Sequence, residues 1–315
     1  MKTSVALCTY NGEKYIREQI ESILHQTMSV DEIVVCDDGS TDGTLDIIES
    51  YSSPEHPQIR IYRNDKNLGP ARNFQQAINL CQGDIIFLSD QDDIWQATKV
   101  AQIVQYFACH PNHQVIFTDG QLIDHERKPI PQGTLWRCFG LSEAGISAID
   151  AGLGIELFAN ENRATGATMA IRRTFEPLKT ITAYCHADII HDGALAMLAL
   201  NNDQLGYIPE KLINYRIHAN QECGIGESLK KPVSSDPRDI SYTATLWSQL
   251  TLPSPLSERI SFIVDRNRRR HQPLGPFRLL KAIPSYLTLY RKHWFSFLSY
   301  DLRQWASNML HRIIH

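Results

Sequence analysis

The sequence predicts an α/β protein with a mixed, mostly parallel sheet, helices on both faces and a helical C-terminal extension. Strand-like apolar runs and helical periodicities alternate through residues 1–120, acids close several of the runs, and basic and aromatic residues crowd positions 266–315.

Each element follows from its own residues. Ser4–Leu7 is an apolar run ending in the turn Thr9-Tyr10-Asn11-Gly12, after which Ile16, Ile20, Ile23 and Leu24 recur at helical spacing. Ile33–Cys36 is a second buried-type strand closed by Asp37-Asp38-Gly39-Ser40, with Thr41 able to cap a helix through Leu45, Ile47 and Ile48. Ile59–Tyr62 is strand-like, and Gly69-Pro70 opens a helix that turns Phe74, Ala77, Ile78 and Leu80 inward. Asp84–Leu88 is a fourth strand, and a helix through Val100, Ile103, Val104 and Phe107 leads to Val115–Thr118. Residues 129–165 have the Gly, Pro and polar composition of long loops. Order returns at Thr165–Ile171, in a helix His191–Leu200 and at Leu205–Ile208, and residues 224–238 have the composition of a linker.

The 315 residues, with 31 Lys+Arg against 35 Asp+Glu and 43% hydrophobic content, exclude a disordered chain, a collagen-like fibre and a disulfide mini-protein. Seven cysteines without a Cys-x-x-Cys pair fit neither a zinc ribbon nor a disulfide framework, and suit a reducing compartment. The N-terminus lacks a signal-peptide core, and no apolar stretch is long enough to span a bilayer, so a cytoplasmic or membrane-peripheral protein is expected. The net charge of −4 divides unevenly: residues 266–315 hold ten Lys/Arg and one acid, leaving −13 for residues 1–265.

In a parallel α/β sheet, ligands bind at the carboxyl ends of the strands. Here those ends carry Asp37-Asp38, Asp90-Gln91-Asp92-Asp93 and Asp119. Two carboxylates about 4 Å apart repel by about 4 kcal/mol at an effective dielectric near 20. A hard divalent cation relieves that repulsion, and oxygen ligands suit Mg²⁺ or Mn²⁺. An acidic triplet can also be a solvated turn, but its place directly after Ile85–Leu88 favours the ion. Asp37 and Asp38 are equally compatible with turn and capping chemistry. Neither a Gly-x-Gly-x-x-Gly after the first strand nor a P-loop is present.

Four segments, Ser4-Val-Ala-Leu-Cys-Thr-Tyr-Asn11, Ile33-Val-Val-Cys-Asp-Asp-Gly-Ser-Thr-Asp-Gly-Thr44, Asn67-Leu-Gly-Pro-Ala-Arg-Asn73 and Phe87-Leu-Ser-Asp-Gln-Asp-Asp-Ile-Trp95, resemble in order and spacing the family-2 glycosyltransferases of the GT-A fold. The last, with Thr165–Ala170, His191-Asp192 and Tyr215–His218, is similar to the rhamnosyltransferase-like branch. The resemblance spans residues 3 to about 224 and stops short of the tail. It implies a nucleotide-diphospho-sugar transferase domain at 1–224, with a nucleotide-sugar half (1–120) and an acceptor-side half (121–224), then a linker at 225–238 and a basic helical region at 239–315.

The resemblance also implies roles. Thr9, Tyr10, Asn11, Asp38 and Asp37 would hold the nucleobase and ribose, with Asn67, Gly69 and Arg72 near the donor. Asp90 and Gln91 would face the ribose, and Asp92, Asp93 and His218 a Mg²⁺ or Mn²⁺ ion bridging the diphosphate. Asp192 would be the base that takes the acceptor's proton, although an Asp at a helix start is also a common cap. Arg216 could face the diphosphate or serve structure alone. That branch commonly has bulky aromatics after the His-Asp pair, where this chain has Gly193 and Ala194.

The expected reaction is inverting transfer from a UDP- or dTDP-linked sugar, rhamnose among the candidates, to a glycan or lipid-linked acceptor in cell-surface polysaccharide synthesis. A nucleotidyltransferase of similar fold and a silent nucleotide-sugar-binding protein remain alternatives. In the tail, Arg266, Arg268, Arg269, Arg270, Arg278, Lys281, Arg291, Lys292, Arg303 and Arg312 interleave with aromatics such as Tyr286, Tyr290, Trp294 and Phe297. Such helices suit an anionic membrane surface, or pack on the catalytic domain with a solvated basic face. No nucleic-acid partner is expected.

Overall fold

The computed structural model describes residues 1–185, 189–218, 221, 242–270, 275–290 and 293–314. The predicted linker at 225–238, together with Arg291 and Lys292, lies outside the described residues. The chain divides into two compact units, Met1–Leu141 with Asn162–Val233, and Ser142–Glu161 with Ser234–His315.

The first unit is built on a nine-stranded sheet of order β3-β2-β1-β4-β8-β6-β9-β5, with β7 paired to β6. Its strands are β1 (Thr3–Thr9), β2 (Glu32–Asp37), β3 (Gln58–Arg63), β4 (Ile85–Ser89), β5 (Ile94–Trp95), β6 (Val115–Ile123), β7 (Pro129–Thr134), β8 (Ala170–Arg172) and β9 (Leu205–Arg216). The pairs β3-β2, β2-β1 and β1-β4 are parallel, and beyond β4 the sheet is mixed. β1, β2 and β4 are buried along their whole length, as apolar strands covered on two faces must be. Strand order reverses at β1, so the chain departs in opposite directions from its carboxyl end and leaves a crevice there.

Helices α1 (Ile16–Leu24), α2 (Thr44–Glu49), α3 (Pro70–Leu80), α4 (Lys99–Cys109), the single turn α5 (Leu135–Cys138) and α8 (His191–Leu200) complete this unit. α1, α3 and α4 bury one stripe each: Ile16, Ile20 and Ile23; Phe74, Ala77 and Ile78; Val100, Ile103 and Phe107. α8 is different, buried on all sides from His191 to Ala199.

Several boundaries depart from expectation. α2 begins at Thr44 rather than after Thr41, because the Asp42 carboxylate accepts the Thr44 N–H (3.1 Å) and ends the turn there. Asp119 does not close a strand: β6 runs on to Ile123, and the Asp119 carboxylate accepts from Gly120 N and Trp136 N. Part of the expected loop region is helical, with α6 (Glu143–Asp150) and α7 (Gly154–Asn160) falling in the second unit.

The second unit contains α6, α7, α9 (Tyr242–Trp247), α10 (Leu256–Arg270), α11 (Gly275–Lys281), α12 (Ile283–Tyr290) and α13 (Trp294–Ile314). Ala148, Leu153, Leu279, Tyr286, Tyr290 and Phe297 share its core. Asp301, fully buried, accepts from Arg266 Nε (2.8 Å), from Arg270 and from the Tyr286 hydroxyl. Arg259 of α10 holds Glu156 of α7 at 2.6 Å. Arg266, Arg270, Tyr286, Tyr290 and Phe297 are therefore interior and present no surface to a membrane, whereas Arg268, Arg278, Lys281 and Arg303 are exposed. No helix among the described residues is long and apolar enough to cross a membrane.

Candidate active site

The carboxyl ends of β1, β2 and β4 open on a cavity of about 750 Å³. At the end of β1, Asn11 adopts a left-handed backbone (φ 49°), its N–H donating to Ser40 Oγ and its side-chain oxygen accepting from Thr41 N (both 2.9 Å). Gln91 grips the next-door peptide from β4's side: Tyr10 N donates to its Oε1 (2.8 Å), and its Nε2 donates to Tyr10 O (3.0 Å). The two strand ends are thus fixed to each other, and the Tyr10 ring, 39% exposed, stands at the mouth.

Asp37 and Asp38 separate in function although they adjoin in sequence. Asp37 is fully buried, accepts from Thr9 Oγ1 (2.9 Å), Ser40 N and Gly39 N, and does not line the cavity. It is an Asx-type clamp on the β2 turn. Asp38 faces the cavity, accepting from Asn64 Nδ2 (2.8 Å), Leu68 N (2.8 Å) and Gly69 N (2.9 Å). Gly69 meets it with φ +80°, a conformation that side-chain-bearing residues rarely adopt. A second hollow of about 390 Å³ adjoins the first at Tyr10 and Asp38 and includes Asn67. Arg72 is exposed and lines neither.

The Asp90–Asp93 run likewise splits. Asp90, Gln91 and Asp92 line the cavity, whereas Asp93 is 1% exposed and turned away. β5 pairs antiparallel with β9 in the register Ile94↔Asn214, which carries Asp92 and Asp93 to the level of Arg216 and His218. Asp92 Oδ2 lies 2.9 Å from His218 Nε2, while Asp93 Oδ1 accepts the Arg216 N–H at 3.0 Å. Arg216 does not face the cavity: its guanidinium donates to Asp92 O (2.8 Å) and to Glu18 of α1 (2.6 Å), and rests over the Tyr15 ring. It braces the acidic turn. Behind that turn Lys99 is fully buried, donating to Ala167 O at 2.7 Å.

Burial, reinforced by Asp92 and Asp192 and opposed by Lys99, pushes Asp90 up to about 7. Burial, with Asp92 and Asp90 adding to it, raises Asp93 well above the usual carboxylate range. Burial pulls Lys99 down to about 7 against Asp93 and Asp90. The turn is an acidic surface that holds protons readily and has a strong demand for positive charge.

Among the described residues no group of three His, Cys, Asp or Glu side chains is arranged to hold a metal ion. The Asp92–His218 pair offers an oxygen and an imidazole donor on the cavity wall, a set compatible with Mn²⁺ when phosphate oxygens complete the shell. Asp93, expected with them, is committed to Arg216 through one oxygen and does not join the wall.

Asp192, in the first turn of α8, also lines the cavity. Oδ1 accepts from Asn162 Nδ2 (2.9 Å) and from its neighbour Gly193 N (2.6 Å), and Oδ2 accepts from Gly166 N (3.0 Å). The small residue after Asp192 has a reason: a Cβ on Gly193 would lie 3.3 Å from Asn162 Cγ, crowding the amide that orients the carboxylate.

The structure therefore brings together Thr9, Tyr10, Asn11, Asp38, Asp90, Gln91, Asp92, Asp192 and His218, and leaves Asp37, Asp93, Asn67, Gly69 and Arg72 outside the main cavity. Phe74 also lines it without having been expected there, while Asn162 and Lys99 do not line it and act through its neighbours, Asn162 on Asp192 and Lys99 on Ala167 O. Phe74 carried only a helical period, and Asn162 no local signal at all.

Residues 4–147 match glycosyl transferase family 2. Chondroitin synthase of Escherichia coli is 35% identical over 134 residues, which is 42% of this chain and 19% of that protein. The chain spans less than half the length of the curated relatives it matches, 19%, 45% and 33% for three of them. S. aureus TarS 1–349, solved in complex with UDP-GlcNAc, has a similar fold (TM-score 0.57, 17% identity, 98% of this chain and 89% of that one). So has the mannosyltransferase PcManGT from Pyrobaculum calidifontis, in complex with GDP-Man and Mn²⁺ (TM-score 0.51, 16% identity, 98% and 87%).

Proposed function

We propose that this chain, whose residues 4–147 match glycosyl transferase family 2, is a member of that family and a metal-dependent, inverting transferase that uses a UDP- or dTDP-linked sugar. The observation that carries the proposal is one cavity lined at once by Tyr10, Asp38, the Asp92–His218 pair and Asp192. The nucleobase and ribose would occupy the end at Thr9, Tyr10 and Asp38, where the Asp38 carboxylate retains an acceptor site beyond its three internal hydrogen bonds. Asp92 and His218 would hold Mg²⁺ or Mn²⁺ with the donor's phosphate oxygens. The ion supplies Lewis-acid stabilisation of the leaving diphosphate.

Asp192 acts as general base. It takes the proton of the acceptor hydroxyl while that oxygen forms a bond to the anomeric carbon, and the bond from that carbon to the diphosphate oxygen breaks with its electrons. The sugar's configuration inverts and nucleoside diphosphate leaves. Asn162, Gly193 N and Gly166 N fix the carboxylate's orientation before substrate arrives. The acceptor in this proposal is a hydroxyl of a cell-surface glycan or its lipid-linked precursor, with rhamnose among the sugars carried. Exposed Arg268, Arg278, Lys281 and Arg303, with exposed Leu280, Leu287, Phe295 and Leu310, support peripheral contact with an anionic membrane at its cytoplasmic face.

Thermal-shift titration with UDP- and dTDP-sugars, with and without Mn²⁺, tests the donor site. Stabilisation by at least one sugar nucleotide, larger with Mn²⁺, is expected, and no stabilisation by any of them would sink the proposal. Asp192→Asn is expected to bind donor normally and lose transfer by at least about 10³-fold. Transfer at the wild-type rate would remove Asp192 from its role.

A further inference from the structure

His191, the first residue of α8, has no part in the steps above. It is 4% exposed, neither Nδ1 nor Nε2 has a hydrogen-bond partner, and the residue lines the cavity. Buried polar atoms are nearly always paired, so two unmet nitrogens on one ring of a residue that lines a ligand cavity point to a missing partner. The ring does not wander in search of one. It is stacked on Phe74, centroids 4.2 Å apart at 24°, which fixes its plane and the directions of both nitrogens. Gly166 keeps the space beside Nε2 open, since a Cβ there would come within 3.0 Å. Burial lowers the imidazole's proton affinity against the opposing pull of Asp192, so at neutral pH the ring carries one N–H donor and one lone pair. A hydroxyl group, donor and acceptor at once, complements that ring; a carboxylate or phosphate does not.

Position selects which hydroxyl. Phe74 lies on α3, whose Pro70 and Asn73 also line the cavity directly after the Leu68 and Gly69 amides held by Asp38. The ring is thus anchored to the nucleotide-side wall, while Asp192, its neighbour in the chain, must face the acceptor oxygen. What lies between nucleotide and base in a transferase is the sugar being moved. We propose that His191 reads the donor sugar, its ring nitrogens hydrogen-bonding to ring hydroxyls of a hexose or deoxyhexose held against Phe74. This inference rests on the transferase reading.

Calorimetric titration of the full chain with Mn²⁺ tests it, using UDP and dTDP against UDP-glucose, UDP-N-acetylglucosamine and dTDP-rhamnose, with donor hydrolysis followed in parallel. His191→Phe keeps a ring to stack on Phe74 and removes both nitrogens. It is expected to bind the free nucleotides within twofold of wild type, to bind the preferred sugar nucleotide ~10-fold more weakly, and to lose at least ~10-fold in kcat/KM for hydrolysis. His191→Gln, which restores a donor and an acceptor, is expected to recover part of that loss. Should His191→Phe fail to fold, Gly166→Ala carries the test by filling the space beside Nε2, with the same selective loss of sugar affinity expected. A variant that binds and hydrolyses sugar nucleotides like wild type overturns the inference, as does an equal loss of free nucleotide and sugar nucleotide, which marks a packing role. If wild type binds none of the five ligands, the transferase reading itself fails and takes the inference with it.

Discussion

Asp192 enters the cavity with three donors already on its two oxygens, one of them the side chain of Asn162. A hydrogen bond to a charged group contributes about 1.5–3 kcal/mol, so Asn162→Ala should cut turnover by about 10–100-fold while leaving donor affinity within twofold. Steady-state kinetics with a kcat and KM split checks this; a rise in KM alone would place Asn162 in binding instead. At this scale the sequence was informative about the identities of the polar residues and silent about their directions. Asp37 and Asp38, or Asp92 and Asp93, are chemically identical neighbours, and only the turn decides which carboxylate meets the cavity and which meets the backbone. Asn162 and Phe74 had no legible role because their partners, Asp192 and His191, lie 30 and 117 positions further along the chain.

Among elements, β1, β2 and β3 are tied at the sheet end opposite the cavity by Glu32, which accepts from Ser4 Oγ (2.5 Å), Gln82 N (2.5 Å) and Arg60 (2.6 Å). Burial raises this carboxyl's proton affinity, but the hydrogen bonds and the Arg60 charge outweigh it and its pKa is lowered on balance. A depressed carboxylate contributes stability above its unfolded value of about 4.3, and that contribution is lost as pH falls through the folded value. Glu32→Gln should therefore be less stable than wild type at pH 7 by about 1–3 kcal/mol, with the difference shrinking below about pH 4. Urea titrations across pH measure it, and a gap independent of pH would contradict the assignment. β1, β2, β4, α1, α3 and α4 were legible because each buries a stripe or a full run of its own. β5 was not, since two residues become a strand only through pairing with β9. α6 and α7 were hidden because Gly, Ser and Ala in 142–154 resemble loop composition although the segment helps build the second unit's core.

For the whole molecule, two predictions separate folding from activity. Asp301 neutralises Arg266 and Arg270 inside the second unit, and its pKa is depressed because their charges outweigh burial. Asp301→Asn leaves two buried guanidiniums without their carboxylate and should cost about 3–5 kcal/mol. Hydrogen exchange should quicken in α10, α12 and α13 and remain unchanged in β1, β2 and β4; uniform quickening would refute that localisation. Chelation should act differently. Asp92 and His218 bond to each other, and Arg216 braces their turn through Asp92 O and Glu18. EDTA should abolish transfer while moving the melting temperature by less than about 2 °C, with Mn²⁺ restoring activity; melting of the protein on chelation would show the ion to be structural. The tail's overall basic character was legible in the sequence, but which arginines lie inside was not, because Asp301 is its single acid.

The chain leaves the first unit after Leu141 and returns at Asn162. The two units are therefore not consecutive cassettes. A recombination event or gene fusion that exchanged everything after Val233 would leave residues 142–161 behind, with Ala148 and Leu153 separated from the core they belong to. Inheritance of a new C-terminal unit thus requires three coordinated crossovers rather than one. The second of them falls beside Asn162, the residue that aims the proposed base. Diversification of this molecule by block exchange is constrained at the same point in the chain as its chemistry.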